Sequence, residues 1–393
     1  MKKVVLAYSG GLDTSVAIPW LAERGYDVVA IAVDVGQPGD LARAAERAGR
    51  LGATVARVVD LKERFAEQFC FKALRMNALY QSKYPLVSAL SRPLIAEALV
   101  EAASDLDADA VAHGCTGKGN DQVRFEVSLG ALAPDLEVLA PVRDWDMDRA
   151  AAIDYARRRD LPIETDKSSP YSIDENLWGR SIECGVLEDP WEQAPRDVFA
   201  LTSDPEGASG TAEIVVGFEK SLPVTLDGET LEPAALIQAL TKIAGSFGFG
   251  RVDMVEDRLV GIKSREIYEA PAALALTTAH RDLEELTLER SLLREKRRLE
   301  DKWTELVYEG LWFSPLRGAI EAFASVTEPC VTGEVRLRLG PGSCAAVGRR
   351  SPYSLYSKTL ATYDEQDAFN HEDAAGFVRL WGLPARRWAE TNE

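Results

Sequence analysis

Histidine, cysteine and positive charge are all scarce in this sequence of 393 residues. It contains three histidines, no two of them close together, and five cysteines without a Cys-X-X-Cys pair. An odd cysteine count does not fit a disulfide framework, and neither residue type has the spacing of a zinc site. We therefore expect a reducing, cytoplasmic environment and no fixed metal site built by the protein.

Lysine and arginine together number 45 against 63 aspartate and glutamate residues, which leaves a formal net charge of −18. Such a charge repels phosphate backbones, so we do not expect nucleic acid to be a partner. No run of 18 apolar residues is present, and the first residues lack a long apolar stretch with a cleavage site. We therefore expect neither a membrane span nor a signal peptide.

Residues 1–166 alternate between strand-like and helix-like segments. Short apolar runs predict strands at 4–8, 26–33, 54–59, 108–112 and 138–140. Helical signals cover 12–24, 40–51, 61–82, 92–104, 121–132 and 147–159, with Pro93 placed in a first turn. This alternation predicts an α/β fold, with a doubly wound parallel sheet that forms a nucleotide-binding domain.

The pattern changes near residue 166, and we expect a second, α+β domain over 167–365. Strands are predicted at 213–219, 222–226 and 331–339, and helices at 234–245 and 281–309. The second of these helices is rich in mixed charge, so we expect a solvated helix with one narrow buried stripe. Residues 166–176 look like a polar loop. Residues 366–393 are too apolar for a free tail and predict a C-terminal oligomerisation arm, packed on the core or on another subunit.

The segment from Ser9 to Ser15 lies directly between the first predicted strand and helix. Its two glycines let the backbone approach an anion, and the helix start presents unpaired N–H groups, so the segment predicts a phosphate-binding loop. Asp13 beside phosphates implies an intervening cation such as Mg²⁺. The alternative is a plain tight turn, in which Asp13 only complements the helix dipole. The string resembles the SGGxD(S/T) loop of the ATP pyrophosphatases, which adenylate their substrates.

A second polar segment, residues 113–126, follows the strand predicted at 108–112. Ligands of open α/β sheets bind at the carboxyl ends of strands, so this segment and the phosphate loop can face one ligand. Lys118 offers a point charge to phosphate, and Arg124 offers a fork that suits a carboxylate. The alternative is a capped helix with a glycine-rich lead. The other polar residues at the start of the predicted helix are Thr116, Asn120 and Asp121.

Several segments of the chain resemble the argininosuccinate synthases. They are residues 7–15, 113–126, 170–181 and 255–269, together with 26–37 and 351–356. The resemblance spans nearly the whole chain. It implies ligation of citrulline and aspartate in arginine biosynthesis, with ATP as co-substrate and Mg²⁺ bound along with ATP. It further implies a citrullyl-adenylate intermediate, release of AMP and pyrophosphate, and a homotetramer.

The resemblance also implies the residues of each site. ATP would be bound by Ala7, Tyr8, Ser9, Gly10, Gly11, Leu12, Asp13, Thr14, Ser15, Val33 and Gly114. Aspartate would be bound by Thr116, Asn120 and Asp121. Citrulline would be bound by Tyr84, Ser88, Asn120, Arg124, Ser172, Ser181, Glu256 and Tyr268. Catalytic roles would fall to Asp13, Lys118 and Arg124.

Without the resemblance, several of these residues have plainer interpretations. Glu256 would be a surface charge, Tyr84 a packing residue, and Ser172 and Ser181 ordinary loop serines. Ala89 stands where the family usually has a polar or small residue, so any hydrogen bond there must come from the backbone.

The residues alone leave two other functions open. A tRNA-modifying ATP pyrophosphatase would need a basic RNA-binding surface and usually catalytic cysteines, which the charge and the cysteine pattern disfavour. A non-catalytic nucleotide sensor would explain the phosphate loop, but it leaves the polar segments 113–126 and 170–181 without a purpose.

Overall fold

The N-terminal part of the chain forms a five-stranded parallel sheet. The computed structural model describes residues 2–117, 119–145, 149–162, 170–364 and 367–392. The strands are β1 (Lys2–Ala7), β2 (Tyr26–Asp34), β3 (Val55–Asp60), β4 (Ala110–Ala112) and β5 (Glu137–Leu139), in the order β3-β2-β1-β4-β5. The chain therefore winds outward from β1 in both directions, and the switch lies between β1 and β4.

Helices cover both faces of this sheet. Val4 and Leu6 of β1 pack into one apolar cluster with Ile18 and Ala48, whereas Val5 packs into a separate, larger core. Alternate strand residues are thus buried on opposite sides, which confirms the predicted doubly wound α/β fold. The helices are α1 (Leu12–Ala22), α2 (Leu41–Arg50), α3 (Lys62–Phe65), α4 (Phe71–Arg75), α5 (Val87–Asp105), α6 (Asn120–Leu132), α7 (Pro141–Asp144) and α8 (Arg149–Arg158).

Two helix predictions in this part are wrong in detail. The stretch 61–82 is not one helix, because a π-helical turn, Ala66–Cys70, separates α3 from α4, and the chain then turns through left-handed residues such as Asn77. Helix α5 begins five residues before the predicted start, so Pro93 lies inside the helix rather than in its first turn. Burial of Val87 and Leu90 explains the early start, since packing of an apolar turn outweighs the lost backbone bond. Residue 147, the predicted start of α8, lies outside the described residues.

The rest of the chain forms two antiparallel sheets with helices, as expected for an α+β region. The four-stranded sheet has the order β11-β12-β7-β6 and the five-stranded sheet the order β10-β9-β8-β13-β14. The strands are β6 (Ser172–Asn176), β7 (Gly179–Glu183), β8 (Ala212–Glu219), β9 (Leu222–Leu226), β10 (Glu229–Thr230), β11 (Arg251–Asp257), β12 (Lys263–Glu269), β13 (Gly333–Gly340) and β14 (Ser343–Arg350). Residues 172–176 are therefore a strand, not the predicted polar loop, because β7 provides a complete ladder of partners.

The single long helix predicted over 281–309 is two helices. Leu288 is buried in an extended conformation, and the Glu289 carboxylate then caps a new helix by accepting from the N–H groups of Ser291 and Leu292. The second helix is also far from solvated, since Trp303 and Tyr308 are fully buried. The helices here are α9 (Pro233–Ser246), α10 (Pro271–Thr287), α11 (Arg290–Tyr308), α12 (Pro315–Ser325), α13 (Lys358–Ala361), α14 (His371–Trp381) and α15 (Leu383–Thr391).

The C-terminal helices α14 and α15 bury no residue against the rest of the chain. Trp381 is 74% exposed and Trp388 is 70% exposed. Packing on the chain's own core, one of the two expectations for this segment, is therefore not what the structure shows. Among the described helices, none has the length and hydropathy needed to cross a membrane.

Candidate functional site

The predicted phosphate loop lies between β1 and α1, at the carboxyl edge of the parallel sheet. Gly10 has a φ of +78°, and a Cβ placed on it would lie 3.1 Å from the Ala44 Cβ, so this turn requires glycine. The Ser9 hydroxyl lies 3.1 Å from the Thr14 hydroxyl and accepts from the Gly11 N–H at 3.3 Å. The two hydroxyls thus hold the turn in shape beside the helix start.

The other predicted ATP residues flank this turn. Ala7 ends β1 and Leu12 begins α1, while the Tyr8 hydroxyl lies 3.2 Å from that of Ser15. Asp13 lies in the first turn of α1. Val33 is buried near the end of β2, where its carbonyl accepts from the Gln37 amide at 2.7 Å.

The two polar segments meet where β1 and β4 end. A Cβ placed on Gly114 would lie 2.7 Å from the Thr14 methyl carbon, so the start of the second segment sits directly against the phosphate loop. His113, just before it, is buried; its Nδ1 accepts from the Cys115 N–H, and its Nε2 faces Glu126 at 3.3 Å. His113 therefore has a structural role. Lys118 lies outside the described residues.

From this contact the segment runs into α6, which carries a partly buried ionic network. Asp121 accepts from both Arg92 nitrogens Nε and Nη2, at 2.9 and 2.7 Å, and from Arg124 at 3.0 Å. Burial alone would raise the pKa of Asp121, but the two guanidinium groups outweigh it and hold the pKa below its usual value. Arg92 also donates to Asp174 at 2.7 Å, which links α5 to the four-stranded sheet.

Arg124 is 4% exposed and has one nitrogen to spare. Its Nε donates to the Tyr308 carbonyl at 3.1 Å, while its Nη2 is buried without a partner in the described part of the chain. Gly310 makes this approach possible, because a Cβ there would lie 2.9 Å from the Arg124 Cα. An unsatisfied buried guanidinium nitrogen is costly, so the geometry favours an anionic ligand at this point.

Four predicted citrulline residues lie on one face of the four-stranded sheet. Tyr268 of β12 pairs with Ser181 of β7, which pairs with Asp174 of β6, and paired residues point to the same side. Positions two residues along the strands share that side, which adds Ser172 and places Glu256 on the same face of β11. Ser172 is exposed and lies farther along the face than the other three.

The hairpin that carries this face is anchored to the end of β2. The Leu177 N–H donates to the Val35 carbonyl at 2.8 Å, and a Cβ placed on Gly36 would lie 2.9 Å from the Leu177 Cβ. The Asn176 amide donates to the Val87 carbonyl at 2.8 Å. These contacts bring the sheet face to the same edge as the phosphate loop.

Tyr84 and Ser88 lie against this sheet face. The Tyr84 ring stacks on Tyr268 with centroids 4.1 Å apart, and its hydroxyl accepts from the Ser88 N–H at 2.9 Å. The Ser88 hydroxyl lies 3.5 Å from that of Ser181. Burial raises the pKa of Tyr84, so this phenol stays neutral at physiological pH. Ala89 is buried within α5.

Tyr308 is the central residue that sequence reasoning missed. Its hydroxyl accepts from the Asn120 amide at 2.8 Å and lies 2.9 Å from both Glu256 and the Asp257 carbonyl. Tyr268 donates to the other oxygen of Glu256 at 2.6 Å. Arg92 and Asp174 were missed as well. A tyrosine at the end of a charged helix has no local sequence feature that would place it at the centre of a binding site.

The structure thus brings together most of the predicted residues. The phosphate loop meets Gly114, and Asn120, Asp121 and Arg124 meet the sheet face through Tyr308 and Arg92. Thr116 is exposed in the loop before α6, and its side chain makes no hydrogen bond to this network within the described chain. The described residues contain no group of three or more His, Cys, Asp and Glu that could hold a metal.

Comparisons with known proteins cover nearly the whole chain. Residues 3–162 match the family described as arginosuccinate synthase N-terminal HUP domain, and residues 171–388 match the arginosuccinate synthase C-terminal domain. The argininosuccinate synthase of Halalkalibacterium halodurans is 55% identical over 393 residues, covering 100% of this chain and 96% of that protein. Those of Rubrobacter xylanophilus and Bacillus subtilis are 56% and 54% identical, and each is covered over 96% of its length.

Proposed function

Because the chain belongs to the argininosuccinate synthase family, we propose that it joins citrulline to aspartate through a citrullyl-adenylate and releases AMP and pyrophosphate. The enzyme is a ligase, and ATP is its co-substrate. The observation that carries the proposed mechanism is the contact of Gly114 with Thr14. It makes one short segment span the distance from the phosphate loop to the buried Arg124.

The first proposed step is attack of the citrulline ureido oxygen on the α-phosphorus of ATP. An O–P bond forms and pyrophosphate leaves with the electrons of the broken bond. The spare Arg124 nitrogen suits the α-carboxylate of citrulline, and Glu256 suits its α-ammonium group. Both groups are buried and held by neighbours, so the substrate meets a preorganised site, and positioning supplies much of the rate.

The second proposed step is attack of the aspartate amine on the activated ureido carbon, with AMP as the leaving group. The amine loses a proton in this step, and the AMP phosphate is a suitable acceptor. Asn120 and Asp121 lie between Arg124 and the Gly114 loop, so aspartate bound there would be next to citrulline. Thr116 in that loop would add a hydroxyl. Tyr308 would align Asn120 with Glu256.

Asp13 is the residue that we propose to hold Mg²⁺ together with the ATP phosphates. Magnesium typically takes one or two carboxylates and completes its shell with phosphate oxygens and water, so a single loop carboxylate fits. When bound, the ion would neutralise charge on the phosphate chain. Lys118, whose position is outside the described residues, would share that task by the same charge argument.

The test of this function is pyrophosphate release from Mg·ATP, with citrulline and aspartate added singly and together. We expect sustained release only with both amino acids, and argininosuccinate in the product by mass. Absence of release with both would reject the ligase. Sustained pyrophosphate release with citrulline alone, without argininosuccinate, would show that aspartate is not required and would reject the proposed second step.

For assembly we propose a homotetramer in the cytoplasm, with 366–393 as its arm, 1–166 as the ATP domain and 167–365 as the synthetase domain. The exposed Trp381 and Phe377 stack on each other and form an apolar ridge that suits a second copy of this chain. The five thiols are free, which suits a reducing compartment. Light scattering should give the tetramer mass for the native chain and a smaller mass for Trp381→Glu. An unchanged mass would reject the arm.

A further inference from the structure

A cavity of about 530 Å³ lies against helix α2, which packs on Gly10 of the phosphate loop. Its described wall is formed by one side of α2 and by two residues that follow α8. Its described lining consists of Asp40, Arg43, Ala44, Arg47, Arg50, Leu161 and Pro162. Three of these seven residues are arginines, in a chain whose net charge is −18. The lining of the cavity is therefore mainly positive, although the protein as a whole is negatively charged.

Arg47 links the cavity to the phosphate loop. Its Nη2 lies 3.4 Å from the point where a Cβ of Gly10 would be, and Ala44, one turn earlier, packs against the same glycine. The Arg47 Nε is buried and has no hydrogen-bond partner within the described chain. A guanidinium group with an unused buried donor, in contact with a phosphate loop, is suited to an oxyanion.

Helix α2 carries three arginines, two of them in its last turn, where the helix dipole favours cations. Arg43, Arg47 and Arg50 are spaced four and three residues apart and share one side of the helix, where like charges repel. No described carboxylate lies within ion-pair distance of Arg47 or Arg50. The nearby Asp40 carboxylate caps the helix by accepting from the Arg43 N–H at 2.9 Å. An anion in the cavity would relieve the repulsion between Arg47 and Arg50.

We propose that this cavity is a pyrophosphate site, which receives the leaving group as it departs from the phosphate loop. The role of the cavity in the reaction rests on the proposed function, whereas its ability to bind an anion does not. Pyrophosphate carries oxygens on two phosphorus atoms, so the Arg47 and Arg50 guanidinium groups can each bind one phosphate end. Removal of the product to a separate site would free the loop while the adenylate reacts with aspartate.

The test is calorimetric titration of pyrophosphate into the full-length protein saturated with α,β-methylene-ATP, which keeps the phosphate loop occupied. We expect one equivalent of pyrophosphate to bind. Loss of a charge-assisted hydrogen bond should weaken that binding about ten-fold or more in Arg47→Gln and in Arg50→Gln. Arg294→Gln, an exposed arginine on α11 that is not in the cavity lining, is the matched control and should bind like the native chain.

Three results would overturn the proposal. These are absence of pyrophosphate binding to the analogue-saturated protein, equal binding by all four proteins, and equal affinity for inorganic phosphate and pyrophosphate. Because the titration needs no turnover, its outcome is independent of the ligase assay. An active ligase without this binding would reject the cavity alone, whereas binding without ligase activity would reject the proposed function alone.

Discussion

The phenol of Tyr308 lies 2.9 Å from a carboxylate oxygen of Glu256, although 52 positions separate them in the chain. The same hydroxyl accepts from the Asn120 amide at 2.8 Å. One side chain of α11 therefore joins a residue expected to bind aspartate with a residue expected to bind citrulline. Burial, followed by the Glu256 charge, raises the pKa of Tyr308, so the phenol keeps its proton at physiological pH.

Replacing Tyr308 by phenylalanine should impair the use of both amino acids. The change keeps the ring but leaves Asn120 and Glu256 without their shared partner, and a lost bond to a charged group corresponds to about ten-fold or more in kcat/KM. We expect this loss for citrulline and aspartate and a smaller change in the KM for ATP. Tyr155→Phe, which removes a hydroxyl bound to Glu23 at 3.2 Å, is the matched control. Native kinetics in Tyr308→Phe would contradict the bridging role.

Gly114→Ala should weaken the use of ATP, and a second change should restore it. The new methyl group would lie 2.7 Å from the Thr14 methyl carbon. Because this distance is too short, Thr14 and the phosphate loop must move. We expect kcat/KM for ATP to fall about ten-fold or more, since small misplacements in a preorganised site are costly. Thr14→Ser removes the clashing methyl and keeps the hydroxyl that faces Ser9. If the double variant is as impaired as Gly114→Ala, the clash is not the cause.

Arg124→Lys should raise the KM for citrulline more than the KM for ATP. Lysine keeps the positive charge but lacks the fork that reaches both Asp121 and a substrate carboxylate, so we expect a change of about ten-fold. Steady-state kinetics with each substrate varied in turn would measure this. Equal changes in both constants would indicate that Arg124 only supports the structure.

Asp13→Asn should reduce turnover by about a hundred-fold, because the amide cannot balance a magnesium ion beside the phosphates. Circular dichroism should be unchanged, since the side chain lies in the first turn of α1 rather than in the core. A titration of Mg²⁺ at fixed ATP should show a higher requirement in the variant. Near-normal turnover with a native Mg²⁺ requirement would reject the metal role.

His280 should make the fold less stable as the pH falls. Burial, followed by the nearby Lys296 charge, lowers the pKa of His280 well below its usual 6.5, so the native state holds a neutral ring whose Nδ1 donates to Asn77 at 2.8 Å. The unfolded chain takes up a proton below about pH 6.5, and stability is lost as the pH falls through that value.

The expected size of this loss is about 1.4 kcal/mol between about pH 7.5 and about pH 5.5. Urea unfolding at one protein concentration would measure it, with His280→Gln as the comparison. The variant keeps a donor for Asn77 but has no titrating ring, so its free energy of unfolding should fall less over the same interval. An equal fall in both proteins would show that other groups govern the acid response.

Much of the parallel-sheet region was predictable because its signals are local. Apolar runs bounded by turn residues marked all five strands, and the glycines and hydroxyls of Ser9–Ser15 marked the phosphate loop. The predictions failed where packing outweighs local preference. Pro93 lies inside a helix because the preceding turn is buried, and Leu288 with Glu289 ends one helix and begins another without a glycine or proline.

The fold class, the phosphate loop and, through long ordered motifs, the family follow from the residues alone. Three contacts are visible only in the folded chain: Tyr308 joins Asn120 to Glu256, Arg92 joins Asp121 to Asp174, and Arg47 lies against Gly10. The physical reason is that helix and strand periods report neighbours within a few residues. Contacts between distant residues depend on strand order, sheet register and helix packing, and no short stretch of sequence encodes these.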